Sequence, residues 1–497
     1  MRKLGLLTRK NFPIVQLSEI VFRSADPKVA RRLNRLVDEG ELRKLLPRVY
    51  TNNLTDAPER IVRRNLWTLI GKLYPGSLIS HRTAIEFQPS PQAVVYLTVS
   101  SRRIVRWPGV DLNFTDGPDP QADDNPIAGQ LFVSSLERAC LENLLPTRKR
   151  GKEDRALPQS RIEERLVQLL HSRGEEGLNE LRDRARQLAD QFGWATAFDR
   201  LDTIVSSLLS THSADVLTSP LARARAFGRP YDSHRAELFA TLATALRKVD
   251  LEPLVARTTD ATAFTNFAFF ESYFSNYIEG TTFRVEEARE IIFENKIISS
   301  QRKDSHDVLA TYELCGSRGE MTTVAADFGA FLTLLRRRHR IIMRARPAML
   351  PGQFKVKENR AGNTYFVRPD EVVGTLERGF ELLVGLPSPA AKALFVMYIV
   401  SEVHPFEDGN GRIARLMMNA ELTVAGESKI IIPTVSREDY LLNLRRLSRQ
   451  HDAMVYIRMM RRAHAFSHWL DPTGYDQLRR QLESANAFAE EGKVLQF

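Results

Sequence analysis

The residues most able to do chemistry lie together at His404-Pro405-Phe406-Glu407-Asp408-Gly409-Asn410-Gly411-Arg412-Ile413-Ala414-Arg415. They combine an imidazole, carboxylates, a glycine-rich turn and two guanidinium groups. The glycines let backbone N–H groups approach an anion without interference from Cβ atoms. The apolar run from Ile413 to Leu422 continues as a helix, whose first turn aims orphan N–H groups and a positive dipole end at that anion. Arg412 and Arg415, three apart, share one face of that turn. The stretch reads as a polyphosphate cradle with a base beside it.

Several elements must position this loop. Ser388 as N-cap and Pro389 in the first turn start a helix that runs into the motif. Leu394, Phe395, Met397, Tyr398 and Val400 make that helix apolar nearly all round, as a buried central helix requires. Upstream, Ser275 and Glu279 are four apart on one helical face, and Gly280 permits the helix to end there. From Pro351 to Val367 the pattern reads strand, turn, strand, with Ala361-Gly362-Asn363 as the turn. Downstream lie Lys429-Ile430-Ile431-Ile432-Pro433 and a helix from Ser436 through Tyr440.

The motif resembles, position for position, the signature of the Fic family, His-x-Phe-x-Asp/Glu-Gly-Asn-Gly-Arg-x-x-Arg. The resemblance covers about residues 250–500. It implies an all-helical Fic domain with one β-hairpin, the flap that holds a target segment by strand addition. The implied reaction is transfer of AMP from MgATP to a Tyr, Ser or Thr hydroxyl of a target protein. His404 would then be the general base, Asp408 the Mg²⁺ ligand, and Gly409, Asn410, Gly411, Arg412 and Arg415 the phosphate-binding set. Phe406 would anchor the loop by packing. Ser275, Glu279 and Gly280 match the family's inhibitory motif, Ser/Thr-x-x-x-Glu-Gly/Asn, so Glu279 is expected to meet Arg415. Doc-type toxins, which are kinases of this fold, carry a lysine where this chain has Gly411. Removal of AMP and other nucleotidyl transfers stay open.

At 497 residues the chain should hold roughly two to four domains. Lys plus Arg number 71 against 61 Asp plus Glu, a difference of +10, and the pI of about 9.6 favours anionic partners. No apolar stretch reaches bilayer length, and Met1–Lys10 lacks the apolar run of a secretory signal. Cys140 and Cys315 offer neither a disulfide framework nor a metal knot, which fits a cytoplasmic protein.

Near the N-terminus, a short helix is expected over Leu17–Arg23. A second, capped by Asp26 and Pro27, should run to Glu39, with Val29, Leu33, Leu36 and Val37 apolar and Lys28, Arg31, Arg32 and Arg35 opposite. A hairpin over 41–50 adds Lys44 and Arg48. A basic helix followed by a basic hairpin is what a winged helix-turn-helix presents to DNA. This stretch resembles the N-terminal domain of AbiEi-type antitoxins, which implies transcriptional autoregulation. His81 reads as structural, and Thr147–Glu153 as a solvated basic linker.

The fold expected is mainly α and multidomain. It comprises a winged helix over 1–85, an AbiEi-like α/β region over 86–150 and a helical connector over 151–232. A Fic domain over 233–470, with an inhibitory helix near 275–280, and a polar tail over 471–497 complete it. The partners expected are a target protein and, through the N-terminal domain, DNA. A homodimer stays open, and no membrane association is expected. The alternative is a toxin–antitoxin-type DNA-binding regulator with the Fic domain as toxin or sensor.

Overall fold

The computed structural model describes residues 19–497 apart from positions 24, 128, 147–154, 212, 363 and 491. The expected signal-free start, the basic linker at 147–153 and the turn residue Asn363 therefore lie outside the described residues. The protein is mostly helical and divides into two units, with the boundary between Ala226 and Phe227.

In the N-terminal unit, Asp26 accepts a hydrogen bond from the Lys28 N–H at 2.8 Å and caps the helix Pro27–Asp38. Arg43–Leu46 and Val49–Thr51 form the expected hairpin. The short helix expected over 17–23 is instead a strand, Ile20–Phe22, paired antiparallel with Val49–Thr51. Ile, Val and Phe suit a pleated half-buried surface, and Glu19 just before them is held by Arg64 and Asn65. The apolar stripe is also narrower than expected, since Leu33 is buried while Val29 is 42% exposed.

A six-stranded mixed sheet follows in the order Arg103–Trp107, Val110–Asp116, Val94–Val99, Leu78–Ile79, Phe132–Val133, Asn125–Pro126. One hydrophobic core joins both sheets, from Ile20 to Val133, so the boundary expected at residue 85 falls inside a continuous core. Helices Leu136–Leu144, Gln159–Phe192 and Ala195–Leu208 build a second core.

The C-terminal unit is helical around Pro389–Val403. Ser388 caps this helix, and its Leu394, Phe395, Met397 and Tyr398 are buried. It packs chiefly on the next helix, Asn410–Val424. The hairpin is shorter than expected, pairing only Arg360–Ala361 with Thr364–Tyr365. The preceding residues are used elsewhere, since the Lys355 N–H donates to the Pro405 carbonyl and Asn359 Nδ2 to the Phe406 carbonyl. The polar tail expected from 471 is instead part of the core. Leu478 and Leu482, four apart on helix Tyr475–Ser484, pack in one cluster with Phe269, Phe270 and Phe274 of helix Ala261–Ile278. Among the described residues, no helix is long and apolar enough to cross a membrane.

Candidate active site

His404 ends the central helix in a left-handed conformation, φ 52°, which turns its ring out of the helix. Its Nδ1 lies 3.3 Å from the Ser401 carbonyl. A carbonyl can only accept, so Nδ1 carries the proton and Nε2 keeps its lone pair. Phe366, just past the hairpin, stacks on the ring with centroids 3.8 Å apart and planes 8° apart. Burial lowers the His404 pKa to about 4, and nearby Lys355 pushes the same way, against the Ser401 carbonyl, Glu279 and Asp408. At neutral pH the imidazole is therefore an uncharged base.

The loop is held from three sides. The Asn410 side chain binds the Phe406 backbone at both ends, its Oδ1 accepting from N–H at 2.8 Å and its Nδ2 donating to the carbonyl at 2.9 Å. The side chain from which a phosphate contact is expected therefore staples the loop. Phe406, fully buried, stacks on His339 with centroids 3.7 Å apart. His339 Nδ1 accepts from the Gly352 N–H, which makes its Nε2 a donor to the Asp408 carbonyl at 3.0 Å. Burial lowers its pKa to about 4, so it serves as a neutral strut.

Gly409, at φ 76°, is the N-cap of helix Asn410–Val424. Asp408 Oδ1 accepts from the Gly409 N–H at 2.6 Å, while its side chain remains 43% exposed. Among the described residues no cluster of three metal ligands exists. Asp408 Oδ2 also lies 3.9 Å from Arg412 Nη2; a single exposed carboxylate fits Mg²⁺, which usually binds through one or two carboxylates plus substrate phosphates rather than in an all-protein cage.

The two arginines differ in their engagement. Arg412, buried, donates from Nη1 to Asp307 Oδ2 at 2.6 Å, and Asp307 also accepts from Arg346 Nε at 2.8 Å. One edge of the expected phosphate fork is therefore already occupied. Arg415 donates from Nε to Ser275 Oγ at 3.0 Å, and from Nη2 to the Ser275 carbonyl at 2.8 Å and Glu279 Oε1 at 2.7 Å. Glu279 caps helix Ala261–Ile278, and Gly280 follows at φ 95°. The Glu279 carboxylate lies against Gly411, where any Cβ would collide with Oε1. A side chain at 411 would therefore displace the flexible end of Glu279. A cavity of about 240 Å³ opens beside these groups, lined by His404, Gly411, Arg415 and Tyr440 among others.

The structure brings His404, Asp408, Gly409, Asn410, Gly411, Arg412 and Arg415 together with Ser275, Glu279 and Gly280. Lys28, Arg31, Arg32, Arg35, Lys44 and Arg48 lie in the N-terminal unit, all exposed on the helix or hairpin. Sequence reading missed His339, Phe366, Lys355 and Asp307. His339 follows three arginines in a helix that reads as solvated, and Asp307 is one acid in a polar segment, so neither carries a local signal.

Residues 331–422 match the family model described as Fic/DOC family, and the chain therefore carries a Fic domain. Among curated proteins it is similar to "Protein adenylyltransferase Fic" of Drosophila mojavensis, 25% identical over 198 residues, covering 39% of each chain. The protein of the same name from Drosophila melanogaster is 26% identical, covering 39% of this chain and 40% of that one. The chain thus spans about two fifths of the length of the curated relatives it matches. Among solved structures it is similar to Fic-1 of C. elegans, with 16% identity, TM-score 0.35, and coverage of 65% of this chain and 95% of that one.

Proposed function

We propose that the C-terminal unit is an autoinhibited protein adenylyltransferase that uses MgATP. One observation carries this reading. A neutral imidazole with a free Nε2 lines the same cavity as the start of a glycine-rich helix and a buried arginine. In the reaction, Nε2 of His404 takes the proton of a target Tyr, Ser or Thr hydroxyl. The hydroxyl oxygen bonds to the α-phosphorus of ATP, the bond to the bridging oxygen breaks, and pyrophosphate leaves. The N–H groups at the start of helix Asn410–Val424 stabilise the charge that develops. Asp408 would hold Mg²⁺, which neutralises phosphate charge. The hairpin presents an edge to which a target segment could add.

Autoinhibition follows from Glu279, which occupies Arg415 and lies over Gly411. A hydrogen bond to a charged group is worth about 1.5–3 kcal/mol, so freeing Arg415 should raise transfer roughly 10- to 100-fold. The test compares the protein with its Glu279→Gly variant, using ATP labelled at the α or the γ phosphate. Label from the α position appearing on protein, strongly increased in the variant, is expected. Transfer of the γ label instead would make the domain a kinase, and unchanged α transfer would remove the inhibitory role.

A second reading concerns the N-terminal unit, where six basic side chains are exposed on one helix and one hairpin. This pattern supports DNA binding by a winged-helix-like module. Binding to promoter DNA that weakens steeply with salt, and is lost in an Arg32→Ala/Arg35→Ala double variant, is the expected outcome. Salt-insensitive binding would discard it.

A further inference from the structure

We propose that the C-terminal unit carries a second binding site, for a small zwitterion of the free amino-acid type, at the end of the motif helix remote from His404. A cavity of about 120 Å³ lies there, lined by Phe264, Arg257, Arg318, Glu427, Lys429 and His468 among others. A single water needs only about 10–15 Å³ of such space, so the cavity is large enough for an organic molecule.

Glu427 is 5% exposed, and its Oε2 has no hydrogen-bond partner among the described residues. A buried carboxylate oxygen left without a donor is costly, and an ammonium group would satisfy it. Arg257 and Arg318 are exposed at the rim of the same cavity. Each uses one guanidinium nitrogen on backbone carbonyls, Arg257 Nη1 on that of Trp469 and Arg318 Nη2 on those of Thr259 and Asp260. Further N–H groups remain for a carboxylate. Phe267 and Leu470 supply apolar surface, while the Phe264 ring is covered by Arg318 at 4.7 Å and Lys429 at 4.1 Å. An inner acceptor, outer cations and an apolar side together describe an amino acid.

The site also touches both halves of the inhibitory contact, so its consequence rests on the adenylyltransferase reading. Ala263, Phe264 and Phe267 come from the start of helix Ala261–Ile278, which ends in Glu279. Thr423 and Glu427 come from the end of the helix that begins at the phosphate cradle and from the turn after it. Polar cross-links join the two helices along their length. Lys429, in the cavity wall, pairs with Glu271 at 2.8 Å, and Asn419 donates to Glu271 at 2.9 Å. The next links are Ser275 and Glu279 with Arg415. The cavity exists in the arrangement in which Glu279 holds Arg415. A ligand that binds this arrangement better than one in which Glu279 has left Arg415 stabilises it and lowers transfer by population shift.

Titration calorimetry of the full chain with a panel of free L-amino acids tests the site directly. At least one should bind saturably, and binding should be lost in Glu427→Gln and weakened at least about tenfold in the exposed-site variant Arg318→Ala. The same amino acid should lower α-label transfer at least about fivefold in the wild-type chain and leave Glu279→Gly unaffected. No saturable binding of any amino acid, by a chain whose Glu279→Gly variant transfers label, overturns the site and spares the enzymatic reading. Binding by a chain whose variant transfers nothing overturns the enzymatic reading and spares the site. Equal inhibition of wild type and Glu279→Gly overturns the coupling.

Discussion

Arg138 in the N-terminal unit and Arg415 in the C-terminal unit are both buried, and both make at least three hydrogen bonds. Arg138 donates from Nε to Glu142 at 2.9 Å, from Nη1 to Asp124 at 2.7 Å, and to the carbonyls of Pro118 and Asp119. Both carboxylates are themselves buried, so none of those partners can leave without stranding a charge. Arg415 is different. Its anionic partner Glu279 has a side chain 30% exposed, sits at a helix end and borders a cavity. A carboxylate at a helix C-terminus also opposes the macrodipole. Burial of an arginine therefore says little about function, whereas a releasable partner beside open space says a good deal.

The comparison can be broken by experiment. Arg138→Ala leaves Asp124 and Glu142 buried and uncompensated, which should cost about 3–5 kcal/mol in denaturant unfolding of the full chain. In contrast, Glu279→Gly leaves Arg415 its two hydrogen bonds to Ser275 and should cost no more than about 1.5–3 kcal/mol while it raises transfer. If the two variants destabilise equally, Glu279 is a structural brace like Glu142.

In the Glu279→Gly background, His404→Ala should lower α-label transfer by about 10²–10⁴-fold with little change in melting temperature. Full retained transfer would show that another group takes the proton.

Acid should sharpen the contrast further. Burial depresses the pKa of His81 in the N-terminal unit to about 3, and of His339, His404 and His464 in the C-terminal unit to about 4. An unfolded histidine takes its proton near pH 6.5, and these folded ones resist until lower pH. Their contribution to stability is present above pH 6.5 and is lost as pH falls toward the folded values. Scanning calorimetry between about pH 7 and about pH 4.5 should show the C-terminal unit, with three such groups, losing stability faster. Replacing His464 with Gln should reduce that slope. The smallest effect belongs to Arg35→Ala, whose 3.4 Å pair with Glu39 is exposed on both sides and should contribute less than about 0.5 kcal/mol to stability.

Local chemistry made part of this architecture legible. Asp26-Pro27 and Ser388-Pro389 marked two helix starts because a cap and a first-turn proline act within a few residues. The twelve-residue motif was readable because its groups are contiguous, so their spacing already defines the start of a helix. Ile20–Phe22 was misread because strand or helix there depends on Val49–Thr51, a partner about thirty residues away. The helix at 475–484 was missed because its two leucines acquire meaning only against phenylalanines some two hundred residues earlier.

Sequence alone determined the identity and order of the groups in the motif, and the resemblance to the Fic family implied that Glu279 would meet Arg415. Only the tertiary structure decided how those groups are employed. It turned Asn410 inward as a staple, gave one edge of Arg412 to Asp307, stacked Phe366 on His404 and propped the loop on His339. The reason is physical. A side chain's type limits what it can donate or accept, but its partners are chosen by packing between segments far apart in the chain, and no local pattern encodes that choice.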